Sequence, residues 1–154
     1  MMDVTERFFE DWKVGERFQS ASLTLTEEQL VEFARAYDPQ SFHIDAEAAR
    51  ATPFGGLIAS GWQTAALSMR LLIESGAFGP KGGIGLGVDE LRWPKPVFPG
   101  DELHVLVEVA ATRASRAKRS GVVHFKLVTR NQRGEDVMTQ TAIVLVQSRP
   151  EPTA

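Results

Sequence analysis

The chain has 154 residues, 43% of them hydrophobic and 24% charged, with a formal net charge of −3. That is the size of one ordinary domain with apolar material for its own core, and it lacks the basic excess that nucleic-acid binding draws on. The absence of cysteine excludes disulfides and thiolate chemistry, so any metal would have to be held by histidines and carboxylates.

The acidic opening from Met1 to Glu10 has neither the basic start nor the continuous apolar run of a secretory signal, so a cytoplasmic protein is expected. Val14-Gly15 reads as a turn, and Phe18 to Leu23 as one short strand. Thr26-Glu27-Glu28-Gln29 has the capping-box pattern and predicts a helix to about Tyr37, with Leu30, Phe33, Ala34 and Tyr37 recurring at helical steps. Pro39 disfavours helical geometry in the residue before it, which leaves Asp38 just past the helix end, in a turn that runs to His43. Asp45 is a suitable N-cap for a short helix through Ala51, ended by Pro53 and Gly55-Gly56.

The next helix is led by Gly61. From Ile58 the positions Trp62, Ala65, Ala66, Met69, Leu72 and Ile73 form an apolar stripe, and so few polar sites remain that the helix is expected to be surrounded by protein. Ser60, Gln63, Thr64, Ser68 and Arg70 interrupt the apolar run from Leu57 to Ile73, which argues against a membrane span. Gly76, Gly79 and Pro80 end the helix. Gly83, Gly85 and Gly87 precede a strand and do not open a helix, so they read as a strand bulge rather than a nucleotide loop.

Four strands follow, from Ile84 to Trp93, Leu103 to Thr112, Val122 to Arg130 and Val137 to Val146, with a hairpin at Asn131-Gln132-Arg133-Gly134. Leu103, Val105, Val107 and Val109 share one face of the second strand, and Val123, Phe125 and Leu127 one face of the third; His104 and His124 fall on the polar faces. His43 is thereby the remaining candidate for chemistry. Arg113, Arg116, Lys118 and Arg119 cluster at an inter-strand turn, where a solvated hairpin tip is the plain reading and a phosphate contact the sharper one. The elements make an α+β domain spanning 1–148, an antiparallel sheet wrapped around the long helix, with 149–154 as a disordered tail.

A carboxylate at Asp38 and an imidazole at His43 can together orient a water and move its proton near neutral pH. The N–H groups that open the helix at Gly61 can hold a developing negative charge. Three duller readings stand beside this one: Asp38 as a turn aspartate, His43 as a satisfied core histidine, and Ser60-Gly61 as an ordinary helix start with serine as its cap. His43-Ile44-Asp45 also matches two ligands of a two-histidine, one-carboxylate iron site, although both residues border helices rather than lying on barrel strands.

Asp38-x4-His43-Ile44-Asp45, then Phe54-Gly55-Gly56-Leu57-Ile58-Ala59-Ser60-Gly61, then Leu91-Arg92-Trp93-Pro94-Lys95-Pro96-Val97-Phe98-Pro99-Gly100-Asp101 follow one another in that order. In this the chain, from about Phe8 to Val146, resembles the MaoC-like hydratase/dehydratase family of the hot-dog fold, which includes R-specific enoyl-CoA hydratases. The resemblance implies an Asp38/His43 acid-base pair, the Gly61 amide as oxyanion donor, and reversible addition of water to a 2-enoyl-CoA thioester. Phe42, Ser60, Trp62, Arg92 and Lys95 are the candidate substrate-binding residues. No metal and no cofactor beyond the coenzyme A of the substrate is implied, nor a nucleic-acid or membrane partner, and a homodimer or dimer of dimers is expected. The chain departs from the family's Asp-x-Asn-Pro-x-His pattern at Gln40-Ser41, and Ser60 stands where the family has histidine. A serine found further along the family's helix falls at Met69, with Ser68 turned about 100° away. A hot-dog thioesterase and a non-catalytic acyl-CoA-binding subunit are the alternative readings.

Overall fold

The computed structural model describes residues 6–116 and 119–152. After a 3-10 turn at Phe9–Asp11 come β1 (Arg17–Gln19), β2 (Leu23–Thr24), α1 (Glu27–Tyr37), α2 (Ser41–Ile44), α3 (Ala46–Arg50), α4 (Gly61–Glu74), β3 (Ile84–Arg92), β4 (Glu102–Ala114), β5 (Ser120–Arg130) and β6 (Asp136–Gln147). All pairings are antiparallel, in the order β1-β4-β5-β6-β3, with β2 joined to β4 beyond β1. The result is a single hot-dog-like domain.

Local chemistry explains most boundaries. The Thr26 hydroxyl accepts from Gln29 N at 3.2 Å while the Gln29 side-chain oxygen accepts from Thr26 N at 3.1 Å, closing the predicted capping box. Asp45 caps α3 by accepting from the N–H groups of Glu47 and Ala48. Gly134, at φ 73, makes the left-handed corner of the predicted hairpin. The expected single strand at Phe18 to Leu23 is instead two pieces. The cause is Ser20, whose hydroxyl accepts from Val105 N at 2.8 Å and so takes a ladder donor that a continuous strand would pair with backbone. The turn before Asp45 also contains a helical turn, α2, that the sequence pattern did not signal.

On the inner face of the sheet, Val105, Val107, Val109, Val123, Phe125, Leu127, Val144 and Val146 enclose Trp12, Leu71, Leu72 and Phe78. Trp12 meets Phe125 edge-on with ring centroids 4.8 Å apart. A second cluster of Leu25, Leu30, Ala49, Leu57, Leu103 and Val137 seats α1 and α3. His104 and His124 lie half-buried on the opposite face, as their alternation predicts. Register shifts between Gly85 and Gly87 and between Asp89 and Arg92 make β3 bulged, the second shift containing Glu90 at φ 52.

Arg113, Arg116 and Arg119 are exposed at the β4–β5 tip, while Lys118 lies outside the described residues. In the segment expected to be a disordered tail, Arg149 pairs with Asp11 at 2.7 Å and its N–H donates to Glu10 at 2.9 Å; residues 150–152 follow without regular structure, and 153–154 lie outside the described residues. Among the described residues no helix is long and apolar enough to cross a membrane.

The expectation for α4 needs correction. In the single chain its apolar stripe is not surrounded: Trp62 is 61% exposed, and Met69 and Ile73 are each 48% exposed. The sheet and α1 leave part of the helix uncovered, and its buried residues are Gln63, Thr64, Ser68, Leu71 and Leu72. Most of their polar groups find partners, while Gln63 Oε1 is buried without one among the described residues. Gln63 Nε2 donates to Gln29 O at 3.0 Å, and the Ser68 hydroxyl lies 2.7 Å from Thr64 O and 2.6 Å from Thr129 Oγ1. Ser68→Ala should therefore cost about 1–3 kcal/mol by stranding the buried Thr129 hydroxyl, and adding Thr129→Val should cost less than the two single changes summed; urea unfolding in a double-mutant cycle measures both.

Candidate active site

Asp38 sits where α1 stops. Its N–H still donates to Ala34 O at 2.8 Å, but its φ of −147° is no longer helical, so the side chain leaves the helix axis. α2 then returns the chain and places His43 inward, 4% exposed, with its ring edge-on to Phe42 at a centroid distance of 4.4 Å. The third element is the extended segment ending at Ser60, whose Ile58 carbonyl lies 2.6 Å from His43 Nδ1. A carbonyl only accepts, so Nδ1 carries hydrogen and Nε2 is the atom presented to Asp38 Oδ2, at 3.2 Å.

The carboxylate has two further partners. Gln40 Nε2 donates to Oδ1 at 2.7 Å and the Ser60 hydroxyl donates to Oδ2 at 2.8 Å. The Gln40 bond first, then the Ser60 bond and the neighbouring imidazole, hold the Asp38 carboxyl below the ordinary carboxylate range against the opposing effect of burial. Ser60 occupies the N-cap position of α4 but does not cap it with its side chain. The first N–H groups of the helix are thus left without that partner.

A cleft of about 490 Å³ opens over these groups, lined among others by Asp38, His43, Gly61, Trp62, Thr64, Trp93 and Lys95. The Trp93 indole lies on Gly61, with Nε1 donating to Gly61 O at 2.9 Å, and a Cβ at position 61 would come within 2.5 Å of the ring. Trp62 meets Trp93 edge-on at 5.2 Å. Lys95, at the rim, pairs with Glu135 of the β5–β6 hairpin. Lys95, Asn131 and Arg133 together hold the Glu135 carboxyl down to about 2.

Of the residues singled out from the sequence, Asp38, His43, Gly61, Trp62 and Lys95 meet at this cleft. Ser60 is adjacent but entirely buried and faces Asp38. Phe42 packs beneath, against the second apolar cluster and the His43 ring. Arg92 is exposed, bonds the Leu91 carbonyl and is not part of the lining. Met69 is exposed on α4, and Ser68 turns to Thr129 instead of the cleft. Gln40, the Ile58 carbonyl and Trp93 join this cluster without having been named as site candidates: Gln40 stood out only as a departure from the family pattern, Trp93 only as a member of a quoted motif, and a main-chain acceptor such as Ile58 O leaves no side-chain signature. Among the described residues, no group of three or more His, Asp or Glu side chains could hold a metal ion.

Residues 11–131 match the family described as MaoC like domain. The chain belongs to the MaoC-like hydratase/dehydratase family of the hot-dog fold. This MaoC-like chain is similar in structure to a MaoC-like dehydratase from Rhodospirillum rubrum, with TM-score 0.88, 49% identity, and coverage of 94% of this chain and 99% of that one. It is 35% identical over 138 residues to the uncharacterized protein YdeM of Bacillus subtilis, covering 90% of this chain and 97% of YdeM. It is also 41% identical over 93 residues to 3-hydroxyacyl-thioester dehydratase Z of Mycobacterium tuberculosis, covering 59% of this chain and 60% of that protein.

The close fit of Trp93 on Gly61 makes a direct prediction. Gly61→Ala should destabilise the fold by about 1–3 kcal/mol through overpacking, and Trp93→Leu added to it should recover part of that loss; thermal unfolding of the three proteins checks it.

Proposed function

We propose that the chain is a hydratase/dehydratase that adds water reversibly across the α,β double bond of a 2-enoyl-CoA thioester, giving a 3-hydroxyacyl-CoA. The observation that carries the reading is the approach of His43 Nε2 to Asp38 Oδ2 at 3.2 Å beside the first residue of α4, in one cleft. A dehydratase of a 3-hydroxyacyl thioester among its relatives supports the substrate class.

In the hydration direction Asp38 and His43 together hold one water on the cleft side of their contact. As its oxygen bonds to the β-carbon, the pair takes one of its protons, the π electrons move toward the thioester carbonyl, and the Gly61 N–H stabilises the enolate-like oxygen. The pair then returns a proton to the α-carbon. No net proton is gained or lost, so the same groups run dehydration in reverse. Lys95, exposed at the rim, and Trp62, exposed on α4, are the candidate contacts for the rest of the thioester.

The reading includes a homodimer. β3 is an edge strand with Ile84, Leu86 and Val88 exposed, and α4 presents Trp62, Met69 and Ile73. Unpaired backbone beside an apolar helix face is matched by a second copy presenting the same edge.

With crotonyl-CoA and longer 2-enoyl thioesters, loss of enone absorbance without release of free thiol is expected. A folded wild type inactive on the whole panel overturns the reading, and thiol release would instead mean thioester hydrolysis. Asp38→Asn and His43→Ala should each lower turnover about 10²–10⁴-fold, measured at a temperature where thermal unfolding shows both proteins still folded, so that lost stability does not account for the loss. Light scattering at micromolar protein should give twice the chain mass or a multiple of it; a monomer would remove the pairing.

A further inference from the structure

Ser60 is spent in an unusual way. A serine at the N-cap ordinarily gives its oxygen to the helix it precedes, but here the side chain makes no cap and its hydroxyl donates to Asp38 Oδ2, 22 residues earlier in the chain, at 2.8 Å. The residue is 0% exposed, so no solvent competes for that hydrogen. Gln40 donates to the other oxygen, Oδ1, at 2.7 Å from an exposed position. The carboxylate is therefore gripped at both oxygens by neutral donors, with His43 Nε2 completing the set at Oδ2.

We infer that Ser60 is a positioning residue which, with Gln40, fixes the Asp38 carboxylate as the proton-accepting half of the pair, facing a His43 Nε2–H that is its proton-donating half. This rests on the hydratase reading above, whose acid/base pair it divides into two roles. The Nδ1 hydrogen is committed to Ile58 O, so the ring cannot turn to offer Nδ1 to the substrate. With that tautomer, the contact between Nε2 and Oδ2 is attractive only when a hydrogen lies between them. Two neutral donors favour that hydrogen on the ring rather than on the carboxylate, because each stabilises the charged form of Asp38 and would be partly wasted on the acid.

A hydroxyl has a further property as a clamp: it keeps its hydrogen at every working pH. A histidine in that place, which the resemblance leads one to expect, would bring a third titrating group into contact with the carboxylate. The charged and titratable groups facing Asp38 are thus His43 from α2 and, across the cleft, Lys95 from the segment after β3, already paired with Glu135. α4 contributes Gly61, Trp62 and Thr64 there, none of which titrates.

The clamp is tested on ligand-free protein carrying ¹³C-labelled aspartate, with the Asp38 carboxyl resonance identified by its loss in Asp38→Asn. Removing a donor from the charged form raises the titration midpoint, so Ser60→Ala should move it up by about one pH unit, with Gln40→Ala moving it the same way. Ser60→Thr, which keeps a hydroxyl, should restore the wild-type midpoint. In turnover of crotonyl-CoA the acid limb of kcat/KM should move upward with the resonance, a change that a merely loosened fold would not produce. Folded Ser60→Ala and Gln40→Ala proteins whose Asp38 midpoints both stay within about 0.2 unit of wild type overturn the inference. Absence of turnover in wild type overturns the hydratase reading alone, since the resonance is read without substrate.

Discussion

Convergence on one carboxylate holds the site together. Asp38 ends α1, His43 belongs to α2, and Ser60 and Ile58 lead into α4; hydrogen bonds within this group span 15 and 22 residues of chain. Each bond restrains a segment that has no sheet partner of its own. The segment before α4 also gives its Ala59 N–H to Val97 O at 2.8 Å, which brings in the strip following β3. A site built this way is rigid because its atoms are mutually satisfied, not because any one element is long or well packed.

The burial of α4 follows a different logic from that of an ordinary amphipathic helix. Its buried residues mix Leu71 and Leu72 with Gln63, Thr64 and Ser68, while the bulky apolar Trp62, Met69 and Ile73 are exposed. The division runs along the helix: Leu71 and Leu72 lie toward the C-terminal end, inside the core with Phe78 and Trp12, and the polar residues precede them, with Thr64 lining the cleft. Hydrogen bonds rather than apolar area seat the N-terminal end, which keeps the first turn at fixed height above Asp38 and His43.

Strand alternation, the capping box at Thr26, the cap at Asp45 and the hairpin at Asn131 were legible because each is a local pattern whose physical cause lies within a few residues. The pair Asp38 and His43 was legible for the same reason, together with Gly61 as the residue leading a helix. What escaped was decided by partners distant in sequence. Ser20 breaks a strand because Val105 N reaches it, Ser60 abandons its helix because Asp38 is near, and α4 buries its polar side because Thr129 and Gln29 answer it. The apolar stripe of α4 was read accurately as a stripe, but periodicity cannot say whether its cover comes from the same chain. Arg92 marks another limit: a charge inside a quoted motif is exposed, bonds the neighbouring Leu91 carbonyl and lies outside the cleft lining, which the motif alone does not reveal.

The seating of Trp93 on Gly61 also couples two positions 32 residues apart through plain volume. Neither can drift alone: a larger residue at the first needs a smaller neighbour at the second, and a trimmed indole would uncover the mouth of the helix to water. Variation at the two places should be inherited as a pair, so the size of one side chain reports on the room left at the other.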